Sequence, residues 1–501
     1  MHPNNRDIRR WSMSNTTHSV LSRHPDYEAT IGVEVHVQLQ TASKIFCSCP
    51  NEFGTVPNTN ICPVCTGAPG TLPVLNKKVL EYAIMMGLAI DARINQVSEF
   101  ARKHYFYPDL PKKYQITQAD RPICEHGKML ITRLDGSVKE IRINRIHMEE
   151  DAGKNIHAGS GESFVDCNRA GTPLIEIVSE PDLGDSHDVR EYLTSLHSIV
   201  RYLGISDGNM DEGSFRADVN VSVKKRGATK LGTRVELKNI NSFRFIVHAV
   251  DYEIDRQIAL IQEGGAVKQE VRLWDTAAQK TSMMRSKESS YDYRYFLDPD
   301  LPLLIVDDEW VKRLRANLPE LAKAKIERFK KEYLLSDYEA LILAGERDLA
   351  DFYESVVRIC KQPKLACNWI LRDLLGYLKE SRQELSTCLI RPEMLAELIQ
   401  ELVHGVINAP TAQEVFAEMA RTGSYPSIII QERGLQQIGS EDELLEIVNQ
   451  VLEQNPDVVA SYKGGNERHF GFLVGQAMKK TAGRASPQVI QGLLKKILGT
   501  A

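Results

Sequence analysis

The 501-residue sequence predicts an α+β protein: a first part with an antiparallel sheet and a cysteine knuckle, then an all-helical part, then a small helical tail. Three observations predict this. Several early segments alternate apolar and polar residues at period two, four cysteines cluster between positions 47 and 65, and strand patterns vanish after DDEWVKR at 307–313.

The clearest alternation is GVEVHVQL at 32–39, with Val33, Val35, Val37 and Leu39 on one parity and Glu34, His36 and Gln38 on the other. Period two marks a strand with one buried face. RADVNVSV repeats the arrangement, setting Ala217, Val219, Val221 and Val223 against Asp218, Asn220 and Ser222; TRVELKNI sets Val235 and Leu237 against Glu236 and Lys238. A polar strand face is usually only solvated. Here each carries an acid, and in one antiparallel sheet Glu34, His36, Asp218 and Glu236 would lie on neighbouring strands a few ångströms apart. Carboxylates at that spacing repel, so a cation belongs between them. Oxygen donors suit Mg²⁺, and the imidazole also admits Mn²⁺ or Zn²⁺.

Cys47 and Cys49 flank one residue and Cys62 and Cys65 flank two, with Pro, Asn and Gly in the connection. This spacing lets four thiolates converge on Zn²⁺ in a site with all positions filled, which is structural rather than catalytic. The remaining cysteines, at 124, 167, 360, 367 and 388, are scattered and read as small core residues of a reducing compartment.

From about Tyr27 to residue 310 alternating strands mix with polar loops such as HAGSGES at 157–163. The clearest helix of this region starts near Ser186, carries Val189, Leu193, Leu196, Val200 and Leu203 on one stripe, and stops at Gly204. Residues 311–424 hold Lys, Glu, Leu and Ala at helical spacing. A Gly/Ser/Pro break, GSYPS at 423–427, separates a third unit over 425–501. Residues 1–26 are polar and Arg-containing; Asp7 and the low apolar content argue against a targeting helix, so a disordered extension is expected.

Composition bounds the function. A 42% hydrophobic content supports ordinary cores, and no run approaches the roughly 18 apolar residues that cross a bilayer, which points to a cytoplasmic protein without a membrane partner. A net charge of −5 gives no general attraction for nucleic acid. The exception is the end of the chain, where Lys463, Arg468, Lys479, Lys480, Arg484, Lys495 and Lys496 face only Glu467, reading either as an RNA contact or as a solvated basic helix face. GISDG at 204–208 matches a serine-nucleophile elbow, but a helix precedes it where a strand is required. No phosphate-binding glycine loop occurs, so any ATP site must be unconventional, with metal-holding acids gripping the phosphates.

Longer stretches carry a family resemblance: YEATIGVEVHVQL, CPVCTGAPGTLPVLN, KHYFYPDLPKKYQITQ, IHMEEDAGK, NRAGTPLIEIVSEPD, DEGSFRADVNVSV, ELKNINSF, SYDYRYF and GFLVGQAMKKTAGRASPQ. Together they resemble the B subunits of the aspartyl/glutamyl-tRNA amidotransferases over about residues 27–501. The resemblance implies an N-terminal cradle domain, a helical domain and a YqeY-like tail, in a heterotrimer with the amidase (A-type) and small (C-type) subunits. It implies ATP- and Mg²⁺-dependent phosphorylation of the misacylated residue on Glu-tRNA(Gln) or Asp-tRNA(Asn), then amidation with ammonia released by the amidase. As magnesium and catalytic positions it implies Glu34, His36, Glu150, Glu176, Asp218 and Glu236, of which Glu150 and Glu176 rest on the resemblance alone. It supports structural zinc at the four cysteines. Arg102, Lys103 and Tyr105 in RKHYFYP and Arg294 in DYRYF pair cation with aromatic, suiting either the nucleotide and tRNA end or an ordinary surface. An inactive RNA-binding adaptor is the alternative; it would have no use for the acids.

Overall fold

A computed structural model describes residues 19–157, 161–286, 293–437, 441–481 and 485–499. Residues 1–18 of the expected extension, part of the HAGSGES loop, Ser290 to Asp292 of SYDYRYF, and Arg484 lie outside them. The chain divides into two compact units, Met1–Leu321 and Ala322–Ala501.

The first unit is built on a nine-stranded sheet. Its strands, in chain order, are β1 (Tyr27–Gln38), β2 (Arg93–Ile94), β3 (Cys124–Thr132), β4 (Val138–Glu150), β5 (Pro173–Ser179), β6 (Phe215–Lys225), β7 (Val235–Lys238), β8 (Glu270–Asp275) and β9 (Lys280–Ser286). They lie in the order β9-β8-β7-β6-β1-β5-β4-β3-β2. All neighbours are antiparallel except β7 and β8, which run parallel, so the sheet departs from the expected antiparallel one in a single pair. The reason is the connection: a parallel pair needs a crossover, and the 20-residue helix Phe243–Gln262 supplies it.

Period-two burial holds along β1, where Ile31, Val33, Val35 and Val37 are buried and the intervening residues are only partly covered. β-branched side chains at these positions stiffen the strand and fill the pleat. Their face packs against three helices: α1 (Lys77–Ala89), α2 (Ser186–Leu203) and α3 (Phe243–Gln262). Each begins at a side-chain cap, from Asn76, Asp185 and Ser242, and each such cap is worth about 1 kcal/mol. α2 ends at Gly204, whose φ of 66° is the left-handed conformation glycine adopts without penalty. The expected stripe Val189, Leu193, Leu196, Val200 and Leu203 is buried, and Leu193→Ala there costs about 2–5 kcal/mol. Ser206 accepts the N–H of Gly208 at 3.1 Å, a turn role that removes the nucleophile reading.

The described chain starts before the expected boundary at Tyr27. Val20 is buried in a short 3-10 helix, Val20–Arg23, and Arg23 and His24 bond Asp255 at 2.8 and 3.0 Å.

Among the described residues the second unit contains helices and no strand. One core runs from Phe329 to Ile430 and another from Leu444 to Leu498. The helix Pro426–Arg433 belongs to the first of these, so the core changes after residue 435 rather than at GSYPS. In the last two helices Leu473, Ala477, Ile490, Leu493 and Leu494 are buried while Lys479, Lys480, Lys495 and Lys496 are exposed.

Candidate metal centres and the acid face

The sheet face opposite the helices carries the candidate site, and strand register lays it out. Lys238, Asp218 and Glu34 sit level across β7, β6 and β1; one step along, Arg216, His36, Glu176 and His147 sit level across β6, β1, β5 and β4. Steps i and i+2 on one strand are about 7 Å apart.

The acids do not form one cluster. Glu34, Asp218 and Glu236 bring oxygens within 4.8 Å of one another, and His36, Glu149 and Glu176 form a second such group. Glu34 and His36, two residues apart on β1, join them. In the first group the Lys238 ammonium bonds Asp218 and lies 3.0 Å from Glu236, while Asn220 donates to Glu34 at 3.2 Å. Burial, then the charges of Glu176, Glu236 and Asp218, raise the Glu34 carboxyl above its ordinary range. In the second group the His36 Nε2 lies 3.4 Å from Glu176 and 3.5 Å from Glu149. His147 Nε2 lies 3.2 Å from Glu176, and Thr117 donates to Glu149 at 3.3 Å. Burial opposes protonation of both imidazoles, but Glu176 and Glu149 outweigh it and His147 is pushed up to about 9. Glu149 and Glu176 are also desolvated, yet their imidazole partners hold both below the ordinary carboxylate range.

Glu150 stands apart. Its carboxylate bonds Lys112 and accepts the Ile116 N–H at 2.9 Å, and its carbonyl accepts from Gln115 at 2.6 Å. Its neighbour Glu149 takes the position beside His36. The cause is a bulge: Ser179 pairs Ile143 while Val178 pairs Arg145, leaving Asn144 extra and reversing the parity of β4. Ile146 and Met148 then point to the core, and His147 and Glu149 to the acid face.

A small sheet of Ala101–His104, Tyr114–Thr117 and Phe296–Leu297 lies beside β4. Of the four cation and aromatic residues expected at the nucleotide or tRNA, Lys103 adjoins the acids: burial opposes its charge, but Glu149 and Glu176 raise its pKa. Arg102 is taken up by Asp298 and Asp300 at 2.8 and 2.7 Å and covers the Tyr114 ring at 4.3 Å. Tyr105 is partly buried and donates to Gln115 at 3.4 Å; Arg294 is exposed, 6.0 Å from the Phe106 ring.

The four knuckle sulfurs also lie within 4.8 Å of one another. The Cys62 N–H points to the Cys65 sulfur at 3.2 Å, and the buried Lys44 ammonium stands 3.8 Å from it. Bonding from Cys47 leads the effects that lower the Cys65 thiol to about 4. Four convergent sulfurs, with the Cys62 N–H and the Lys44 ammonium beside the Cys65 thiolate, fit Zn²⁺. The two acid groups, rich in carboxylate oxygen, fit a divalent cation.

A sequence model of the GatB/GatE catalytic domain matches residues 29–312, and one of the GatB domain matches 351–498. The chain belongs to the GatB/GatE family. Proteins named as the B subunit of aspartyl/glutamyl-tRNA(Asn/Gln) amidotransferase are similar to it throughout. Those of Thermodesulfovibrio yellowstonii and Thermoanaerobacter pseudethanolicus are each 50% identical over 472 residues, 94% of this chain and 99% of theirs. That of Syntrophotalea carbinolica is 51% identical over 94% of this chain and 98% of its own. Within this GatB/GatE chain, sequence reasoning missed His147, Glu149 and Lys103's place beside the acids; the alternation His147, Glu149, Asp151 was the available signal.

Proposed function

We propose that this chain is the B subunit of a tRNA-dependent amidotransferase, a carbon–nitrogen ligase of the EC 6.3.5 class with glutamine as amido donor. It phosphorylates the side-chain carboxylate of Glu-tRNA(Gln) or Asp-tRNA(Asn) with ATP and Mg²⁺, and ammonia then displaces phosphate. The amidase would supply the ammonia and the small third subunit complete the heterotrimer, in the cytoplasm. The relatives' shared name supports the overall reaction. The observation that carries the mechanism is the pair of acid groups adjoining along β1.

A carboxylate resists attack by ammonia because it would have to expel oxide; as an acyl phosphate it expels phosphate. Phosphoryl transfer asks the protein mainly for positioning and charge neutralisation. A divalent cation held by Glu34, Asp218 and Glu236, or by His36, Glu149 and Glu176, would supply that neutralisation. Lys238 offsets charge on the first group and Lys103 on the second. Asn220 and Thr117 orient Glu34 and Glu149. Zn²⁺ at the cysteines serves the fold.

The test is direct. The purified heterotrimer should cleave ATP when Mg²⁺ and Glu-tRNA(Gln) are both present and, with glutamine added, should yield Gln-tRNA(Gln). ATP left intact under those conditions overturns the kinase step and favours a non-catalytic adaptor.

A further inference from the structure

Asp151 follows β4 directly, and its carboxylate is 6% exposed. One oxygen, Oδ2, receives Gln38 Nε2 at 2.9 Å and Arg216 Nη2 at 2.9 Å, and lies 3.6 Å from Arg169 Nε; the other accepts the Ala152 N–H at 3.0 Å. Two guanidinium groups therefore serve one carboxylate. They are used differently. Arg169 donates to the carbonyls of Ala152 and Gly153 at 2.9 and 2.7 Å and is tied to the backbone. Among the described residues the Arg216 side chain has one hydrogen bond, to Asp151; its buried Nε has no acceptor there, and 35% of the side chain stays accessible. A guanidinium has five donors in a rigid fork, so Arg216 holds capacity that the fold does not use. Register puts it level with His36 on β1 and two residues before Asp218, between the two acid groups.

We propose that Arg216 is the oxyanion-holding residue of the acid face, a fork that receives the phosphoryl oxygens of the nucleotide or the side-chain carboxylate of the aminoacyl acceptor. A face of acids otherwise repels both. Two guanidinium charges, Arg216 at 2.9 Å and Arg169 at 3.6 Å, face the single Asp151 charge, which leaves one positive charge over for a ligand, and a planar fork matches either oxyanion with two parallel bonds. Asp151 and Gln38 then act as positioning residues that fix the plane of the fork. This inference rests on the amidotransferase reading.

Arg216→Lys separates the roles. Lysine keeps the charge beside Asp151 and so preserves a purely structural pairing, but lacks the fork. In the intact complex Arg216→Lys should raise KM at least tenfold for ATP if the oxyanion is the phosphoryl group, or for the misacylated tRNA if it is the carboxylate; either result supports the subsite. Unchanged KM values for both, with Arg216→Met matched by Asp151→Asn in every readout, overturn it. The double variant Arg216→Met/Asp151→Asn guards against misfolding from an unpaired buried acid, and should show the same KM defect as Arg216→Lys or a larger one. Titration of the complex with inorganic phosphate and with free glutamate reads the subsite without turnover. A tenfold loss of either affinity in Arg216→Lys supports it even if amidation itself proves absent, while equal affinities, or none in the unsubstituted complex, overturn it.

Discussion

The cysteine knuckle and the acid face both crowd groups that would repel as anions, but they are assembled in opposite ways. The knuckle draws four sulfurs from within a single short stretch of chain, positions 47 to 65. The acid face draws its side chains from five strands between Glu34 and Glu236. The first can close locally once its ion is present; the second exists only when the sheet is in register. What holds the acids in place is thus the apolar face beneath them. A one-residue slip of β1 would send Val33, Val35 and Val37 to solvent and Glu34 and His36 into the core.

This difference is sharpest in substitutions that keep shape and remove charge. Glu34→Gln and Glu176→Gln should each lower transamidation by about 100-fold or more. Glu34→Gln should leave the unfolding midpoint close to the parent's, since it relieves the burial of charge and the repulsion that raise Glu34, whereas Glu176→Gln gives up the attraction of His147 and His36 and some stability with it. A large fall in stability would mean that the acids hold the fold. Stripping the knuckle metal with a chelator should act the other way. Asn58 and Asn60 tie the knuckle to residues 165–168, and Lys44 bonds the Ala170 carbonyl at 2.7 Å. The Gly171 N–H in turn bonds the Asp151 carbonyl at 3.0 Å. Removal should therefore cost about 10-fold in activity through loosening of 165–171, seen as faster amide exchange there while α2 stays protected. Uniform exchange across the unit would remove the distinction.

Glu150→Gln probes the border between the regions. It leaves the Lys112 ammonium buried without its carboxylate, and breaking such a pair costs about 3 kcal/mol or more. Denaturant unfolding should show that loss, with the remaining activity of folded enzyme well above that of Glu176→Gln. An inactive but fully stable Glu150→Gln would return Glu150 to the catalytic set.

How much of this was legible follows the same divide. The knuckle could be read from spacing alone, because its ligands are neighbours in the chain. Glu34, His36, Asp218 and Glu236 could be read from parity, because β1, β6 and β7 are regular where those residues lie. Their division into two groups could not, since it depends on which strands adjoin. β5 separates β1 from β4, and only that order brings Glu176 between His36 and His147. Glu149 was obscured by the extra residue at Asn144, which reverses the parity set by Ile141 and Ile143. The break between the two helical cores was also misplaced. GSYPS has the composition of a hinge, yet Ile429 and Ile430 just beyond it are buried in the preceding core, and burial outweighs local turn chemistry.

The smallest effect tests whether the knuckle is a brace or only a neighbour. Asn168 accepts the Asn60 N–H at 2.9 Å and donates to Thr55 and the Val56 carbonyl at 3.1 and 2.7 Å. None of these atoms is a proposed metal ligand. Asn168→Ala should keep the bound zinc and cost about 1 kcal/mol, the net worth of partly exposed hydrogen bonds rather than buried ones. If the knuckle braces the segment leading into β5, activity should still fall a few-fold, with zinc content unchanged and KM for ATP and misacylated tRNA moving little. Unaltered turnover in a variant of proven lower stability would confine the knuckle to folding, and the two regions would then share a domain without sharing a function.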